Sequence, residues 1–87
     1  MDSFDKAVIR SAKYIVNVQS GSEFETSEVM VLHDGTTAYR TQYNKIYTGA
    51  ASLGSVTAAV VGANVYVYYT GVAATNYVHV KADYVGV

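Results

Sequence analysis

Apolar and polar residues alternate along most of this chain. From Ala12 the positions Ala12, Tyr14, Val16 and Val18 are apolar, while Asn17 and Gln19 lie on the other side. A repeat of two residues sets one row of side chains on one face of a pleated backbone, so the stretch predicts a half-buried β-strand. Ser20-Gly21-Ser22 then predicts a turn. A second strand is expected from about Phe24 to His33, with Val29, Val31 and His33 on one face and Glu28, Met30 and Leu32 on the other. Asp34-Gly35 follows, and between two strand-like runs it predicts a hairpin with a type I′ turn, which needs positive φ at both central residues. The third strand is expected over Thr37 to Tyr47. Strict alternation there points Tyr39, Thr41, Tyr43, Lys45 and Tyr47 one way and Arg40, Gln42 and Asn44 the other.

Small residues connect Gly49 to Gly54, and a fourth strand is expected over about Ser55 to Val61. Gly62-Ala63-Asn64 reads as a tight turn, Val65 to Thr70 as the fifth strand, Gly71 to Asn76 as a loop and Tyr77 to Val85 as the last strand. Phe4 to Arg10 reads either as a short helical turn or as an extended lead-in. About six strands, spaced by turns at roughly 10–12 residues, predict an all-β chain folded as a small antiparallel β-sandwich or a partly open barrel. No pattern of crossover-helix length separates the strands, which excludes a parallel α/β sheet. No repeat, linker or second domain is visible, so residues 1–87 read as one domain, with residues 1–6 as the lead-in. Proline is absent, which leaves Lys13, Lys45, Lys81 and the glycines as guards of the sheet edges.

Composition narrows the function classes. The chain has 87 residues, a formal net charge of −1, 51% hydrophobic residues, nine Tyr, and no Cys, Pro or Trp. A chain this short buries only roughly 60–65% of its unfolded surface, so its core is thin. Without cysteine it has neither a disulfide nor a thiolate zinc site to compensate. The near-zero charge argues against a nucleic-acid partner, which is held by a Lys/Arg surplus, and against a polybasic membrane surface. No apolar run approaches the length of roughly 18 residues that a membrane-spanning helix needs. The start Met1-Asp2-Ser3-Phe4-Asp5 is acidic and no apolar signal core follows it. Richness in Val, Thr and Tyr argues against disorder.

Candidate chemistry is sparse. His33 beside Asp34 could be an oriented base or a metal ligand, but a strand-end His capping its turn is the plainer reading. His79 shares a face with Tyr77 and Lys81, and the nearby lysine disfavours a cation site. Glu23, Glu25 and Glu28 sit in and after one turn, as a solvated strand end would, and not as the facing carboxylate pair of a glycosidase. Gly49 to Val56 has phosphate-loop glycine spacing but lacks the lysine and the following helix. No catalytic residue, metal ligand or cofactor is therefore expected. The tyrosines are the unusual feature. If Val65 and Val67 point inward, Tyr66 and Tyr68 point outward, and Tyr66, Tyr68, Tyr77 and His79 form the candidate partner interface, for proteins or for sugars.

Several segments resemble a β-domain of virion structural proteins of tailed phages, familiar from T-even-like cyanophages and other marine myoviruses. They are Asp2-Ser3-Phe4, Arg10-Ser11-Ala12-Lys13-Tyr14, the run Ser27 to Ala38, Ile46-Tyr47-Thr48-Gly49, Leu53-Gly54 and Gly62 to Val67, with Ser27 to Ala38 the most specific. The resemblance spans nearly the whole chain. It implies a non-enzymatic β-sandwich module of a tail fibre, baseplate, neck or capsid protein, located in the virion, without cofactor, and partnered by other virion proteins or by further copies of itself. A host-surface glycan is the alternative partner. The last third is richer in Tyr than relatives, which carry Leu, Arg and Thr there.

Overall fold

The computed structural model describes residues 1–72 and 76–87, so the middle of the expected loop from Gly71 to Asn76 lies outside the described residues. The chain is all-β, with strands β1 (Asp2–Asp5), β2 (Ile9–Ser20), β3 (Glu23–His33), β4 (Ala38–Tyr47), β5 (Gly54–Val61), β6 (Asn64–Gly71) and β7 (Tyr77–Gly86). They form two antiparallel sheets, a small one ordered β1-β6-β5 and a large one ordered β4-β3-β2-β7. The expected sandwich is what forms, with one strand more than the alternation predicts. That strand is β1, which runs in register with β6 from Asp2 opposite Val67 to Asp5 opposite Asn64. Four residues carry too little periodicity to announce a strand; their order comes from β6.

The sheets meet through their alternating apolar rows. Tyr14, Val16, Val29 and Val31 of the large sheet pack against Val56, Val65 and Val67 of the small one, all essentially inaccessible to solvent, with Phe4 and Leu53 completing the cluster. Ile9, Ala58, Val60 and Val78 pack around it. The body measures 40 × 22 × 16 Å, a thickness that fits two stacked sheets at about 10 Å spacing.

Two hairpins use two-residue loops, Gly21-Ser22 between β2 and β3 and Gly62-Ala63 between β5 and β6. Both place glycine at positive φ in the first central position (60° and 61°), the type II′ pattern that suits the right-handed twist of the strands. The hairpin at Asp34-Gly35 forms, but not with the expected type I′ turn. Gly35 has φ 98° while Asp34 does not enter the left-handed region, and the loop runs over four residues from His33 to Ala38. Asp34 closes it. Its N–H donates to the Thr37 carbonyl at 3.1 Å, and its Oδ1 accepts the N–H groups of Thr36 and Thr37 at 2.9 and 2.8 Å. Those amides, Thr37 first and Thr36 second, hold the carboxyl below its usual range.

A bulge breaks the expected alternation in β4. Between Thr26 and Glu28 on β3 the register slips, so that Tyr43 faces Glu28 but Ile46 faces Thr26. Asn44 takes φ 52°, a conformation Asn tolerates better than most residues, and its Nδ2 donates to Glu28 Oε2 at 2.6 Å. Beyond the bulge Ile46 joins the face of Tyr39 and Tyr43, Tyr47 falls opposite the inward Glu25, and Lys45 turns to Ser52 and Gly54. Lys45 and Tyr47 therefore leave the face that strict alternation assigns them. Lys13 is corrected as well: it lies in β2, a central strand, and guards no edge.

Candidate contact surfaces

The outer face of the large sheet is built from cross-strand rows that the register sets side by side. One end holds Tyr39, Leu32, Ser11 and Val85, followed by Thr41, Met30, Lys13 and Asp83. The other end holds Ile46, Thr26, Asn17 and His79, with Phe24, Gln19 and Tyr77 beyond them. Tyr39, Leu32, Met30 and Val85 are exposed at the first end; Phe24, Ile46 (67% exposed) and Tyr77 are exposed at the second. Each end carries a shallow depression of about 400 Å³, one floored by Met30, Leu32 and Tyr39, the other by Phe24, Ile46 and His79. Between them the Lys13 ammonium lies 3.3 Å from Glu28 Oε1. The Asn44 amide, with the Lys13 charge behind it, lowers the Glu28 carboxyl, and Glu28 in turn raises the Lys13 amine.

The outer face of the small sheet is different. Ser3, Asp5, Asn64 and Thr57 surround Tyr66 and Tyr68, whose rings stack with centroids 6.2 Å apart and planes 21° from parallel. Val65 and Val67 point into the core, so the outward orientation expected for this Tyr pair is observed. Tyr77 and His79, however, project from the large sheet. The residues of the candidate interface thus occupy opposite faces of the sandwich and form two surfaces rather than one.

The buried polar groups serve the core. His33 is buried, its Nε2 lies 2.6 Å from the Ile9 carbonyl, and its Nδ1 accepts the Gly35 N–H at 3.0 Å. An acceptor at Nδ1 and a donor at Nε2 define one neutral tautomer, so the turn-capping reading holds, with a second bond to β2 added. Glu25 was expected in a solvated strand end. It is instead buried, and its Oε1 accepts the Leu53 N–H at 3.0 Å. Gln42 Nε2 donates to Ser27 Oγ while its Oε1 accepts the Val56 N–H. These side chains satisfy backbone groups where the chain crosses from one sheet to the other.

Asp2 Oδ2 accepts the hydroxyls of both Tyr14 and Tyr84, at 2.8 and 2.6 Å, and the Tyr84 ring packs edge-on against Phe4 and Tyr14. Burial first and the Asp2 bond second push the Tyr14 phenol upward. The Asp2 bond first and burial second push Tyr84 up to about 12 from an ordinary 10.0. A phenol raised on folding contributes stability that is complete below its unfolded value and is lost as pH rises through the folded one, because only the protonated form donates. The urea midpoint is therefore expected to hold from about pH 7 to 9 and to fall above about pH 10, with a weaker fall in Tyr84→Phe. An identical alkaline slope in parent and variant would remove Tyr84 from this effect.

Sequence reasoning missed Met30, Leu32, Ile15, Phe24 and Ile46 as surface residues. Their signal was available in β3, where Val29 and Val31 are apolar on one parity and Met30 and Leu32 on the other. A strand apolar on both faces, in a sandwich of two sheets, must leave one face uncovered. Among the described residues no three His, Asp or Glu side chains converge on a metal-sized site. Comparison with protein-family models, curated proteins and solved structures finds no match.

Proposed function

We propose that this chain is a non-enzymatic structural module of a phage particle, acting by protein–protein contact through the outer face of its large sheet. The supporting observation is the exposure of Phe24, Met30, Leu32, Tyr39 and Ile46 on one side of the sandwich. Apolar surface facing water at both ends of one sheet face is unfavourable unless something covers it, and Met and aromatic residues are enriched where proteins meet. The outer face of the small sheet is more mixed, with Ser3, Asp5, Asn64 and Thr57 beside the exposed Tyr68 and Val61. The resemblance of Ser27 to Ala38 to virion β-domains supplies the setting.

The test is Met30→Glu combined with Leu32→Glu, two solvent-facing changes. Thermal unfolding is expected to stay within about 4–8 °C of the parent, the effect of roughly 1 kcal/mol in a domain of this size. Mass spectrometry of purified particles is expected to find the parent chain and not the double variant. Equal incorporation of both, or absence of the parent from particles, overturns the proposal. A second reading rests on the Tyr66–Tyr68 stack, a flat aromatic platform that suits a sugar ring. A glycan array with no signal that Tyr68→Ala removes would eliminate it.

A further inference from the structure

We infer that β7 is a docking edge for β7 of a second copy of this chain, joining the two large sheets into one continuous sheet. The inference deepens the contact reading above and rests on it, naming the partner of an edge rather than of a face. Sheet edges expose unpaired N–H and C=O groups and are ordinarily blunted. Three of the four edges here are. β1 is four residues long. β4 carries the Asn44 bulge. The Gly54 carbonyl and the Val56 N–H of β5 are taken by Lys45 and Gln42. β7 is neither short, bulged nor capped by side chains; its one guard is the charge of Lys81, on the outer face beside Asp83. It runs ten residues without proline, its ladder to β2 is continuous from Tyr77 to Val85, and among the described residues no strand lies beyond it.

The charges on β7 select the partner and the register. Lys81 and Asp83 lie on the outer face, and neither makes a hydrogen bond or ion pair among the described residues; Asp83 faces Lys13 across the ladder, but that ammonium lies with Glu28. Two antiparallel copies of β7 that keep outer face beside outer face must be related by a two-fold axis passing at a residue. An axis at Lys81 sets Lys81 against itself, and an axis at Asp83 sets Asp83 against itself. An axis at Ala82 sets each Lys81 opposite Asp83 of the other copy. Opposite charges directly across an antiparallel pair stabilise it and like charges destabilise it. The same register overlaps the strands over nearly their full length and sets Val80 opposite Tyr84. Both point toward the interior side yet remain 37% and 46% exposed, so the second copy covers apolar surface that this chain leaves open.

Sedimentation velocity of the full chain tests this over a range of concentrations. The parent is expected to dimerise. Lys81→Asp and Asp83→Lys, which each create like-charge pairs, are expected to weaken the dimer about tenfold, and the double exchange K81D/D83K to restore it. The chain has no cysteine, so Ala82→Cys reports the axis directly. Mild oxidation is expected to yield a disulfide-linked dimer from Ala82→Cys and none from Val85→Cys, since only residue 82 meets its own copy within bridging distance. The Met30→Glu/Leu32→Glu protein is expected to remain dimeric, which separates failure of the edge from failure of the face. A monomeric parent, single exchanges without effect, cross-linking through residue 85 instead of 82, or loss of the dimer in the face variant overturns the inference.

Discussion

Tyr14→Ala is expected to cost about 3–5 kcal/mol and lower the melting temperature by more than about 12 °C. Tyr14 is fully buried at the centre of β2, and its ring meets Tyr84 edge-on at 6.5 Å. Truncation to alanine removes the ring and leaves a cavity that two hydrogen-bonded sheets can close only in part. It also takes away a hydroxyl from Asp2, which then keeps Tyr84 alone. An 87-residue domain has roughly 4–13 kcal/mol of stability in all, so the loss is a large fraction of it. Tyr14→Phe separates the two contributions: it keeps the volume and is expected to cost about 1.5–3 kcal/mol for the bond to the carboxylate. Calorimetric melting of the three proteins checks the order. A Tyr14→Ala protein melting within about 4 °C of the parent would contradict the placement of this ring at the packing centre.

His33→Phe is expected to cost about 2–5 kcal/mol although it replaces one buried ring by another of similar size. The β2–β7 ladder slips between Ile9 and Ser11, and the β2–β3 ladder begins only at Ser11. The His33 ring supplies the Ile9 carbonyl with a donor in that gap, and it supplies the Gly35 N–H with an acceptor in the turn. Phenylalanine satisfies neither, and each of these part-buried groups left without a partner costs up to about 1–3 kcal/mol. Arg10 Nη1, which donates to the His33 carbonyl at 3.1 Å, is left in place by the change. Urea titration gives the magnitude, and amide exchange gives the location: Gly35 is expected to lose protection before the centre of β3 does. Unchanged protection at Gly35 would show that the imidazole does not hold the turn.

Only part of the candidate surfaces was legible in one dimension. The outward orientation of Tyr66 and Tyr68 follows from Val65 and Val67 once β6 has one buried face, because a period of two leaves no other choice. His79 and Tyr77 share a face for the same reason. Their separation from the Tyr pair was not legible, because alternation says which side of its own strand a residue takes and nothing about which sheet the strand joins. Glu25 shows the same gap. Its neighbours Glu23 and Glu28 face solvent, and its burial depends on the Leu53 N–H, 28 residues away, needing an acceptor where the chain changes sheets.

Acting alone, the sequence determined the all-β class, the strand spans from Ala12 onward, the hairpins at Gly21, Gly35 and Gly62, and the inward rows of β2 and β6. These depend on covalent geometry and on side-chain alternation, which act within a few residues. Tertiary structure decided the pairing of β1 with β6, the Asn44 bulge that turns Tyr47 and Lys45, the role of Lys13 as a central-strand residue, and the place of β7 at the end of the large sheet. Each depends on a partner strand distant in sequence. The free energy that selects among such pairings comes from cross-strand bonds and from apolar rows closing on one another, which exist only once both strands are in place.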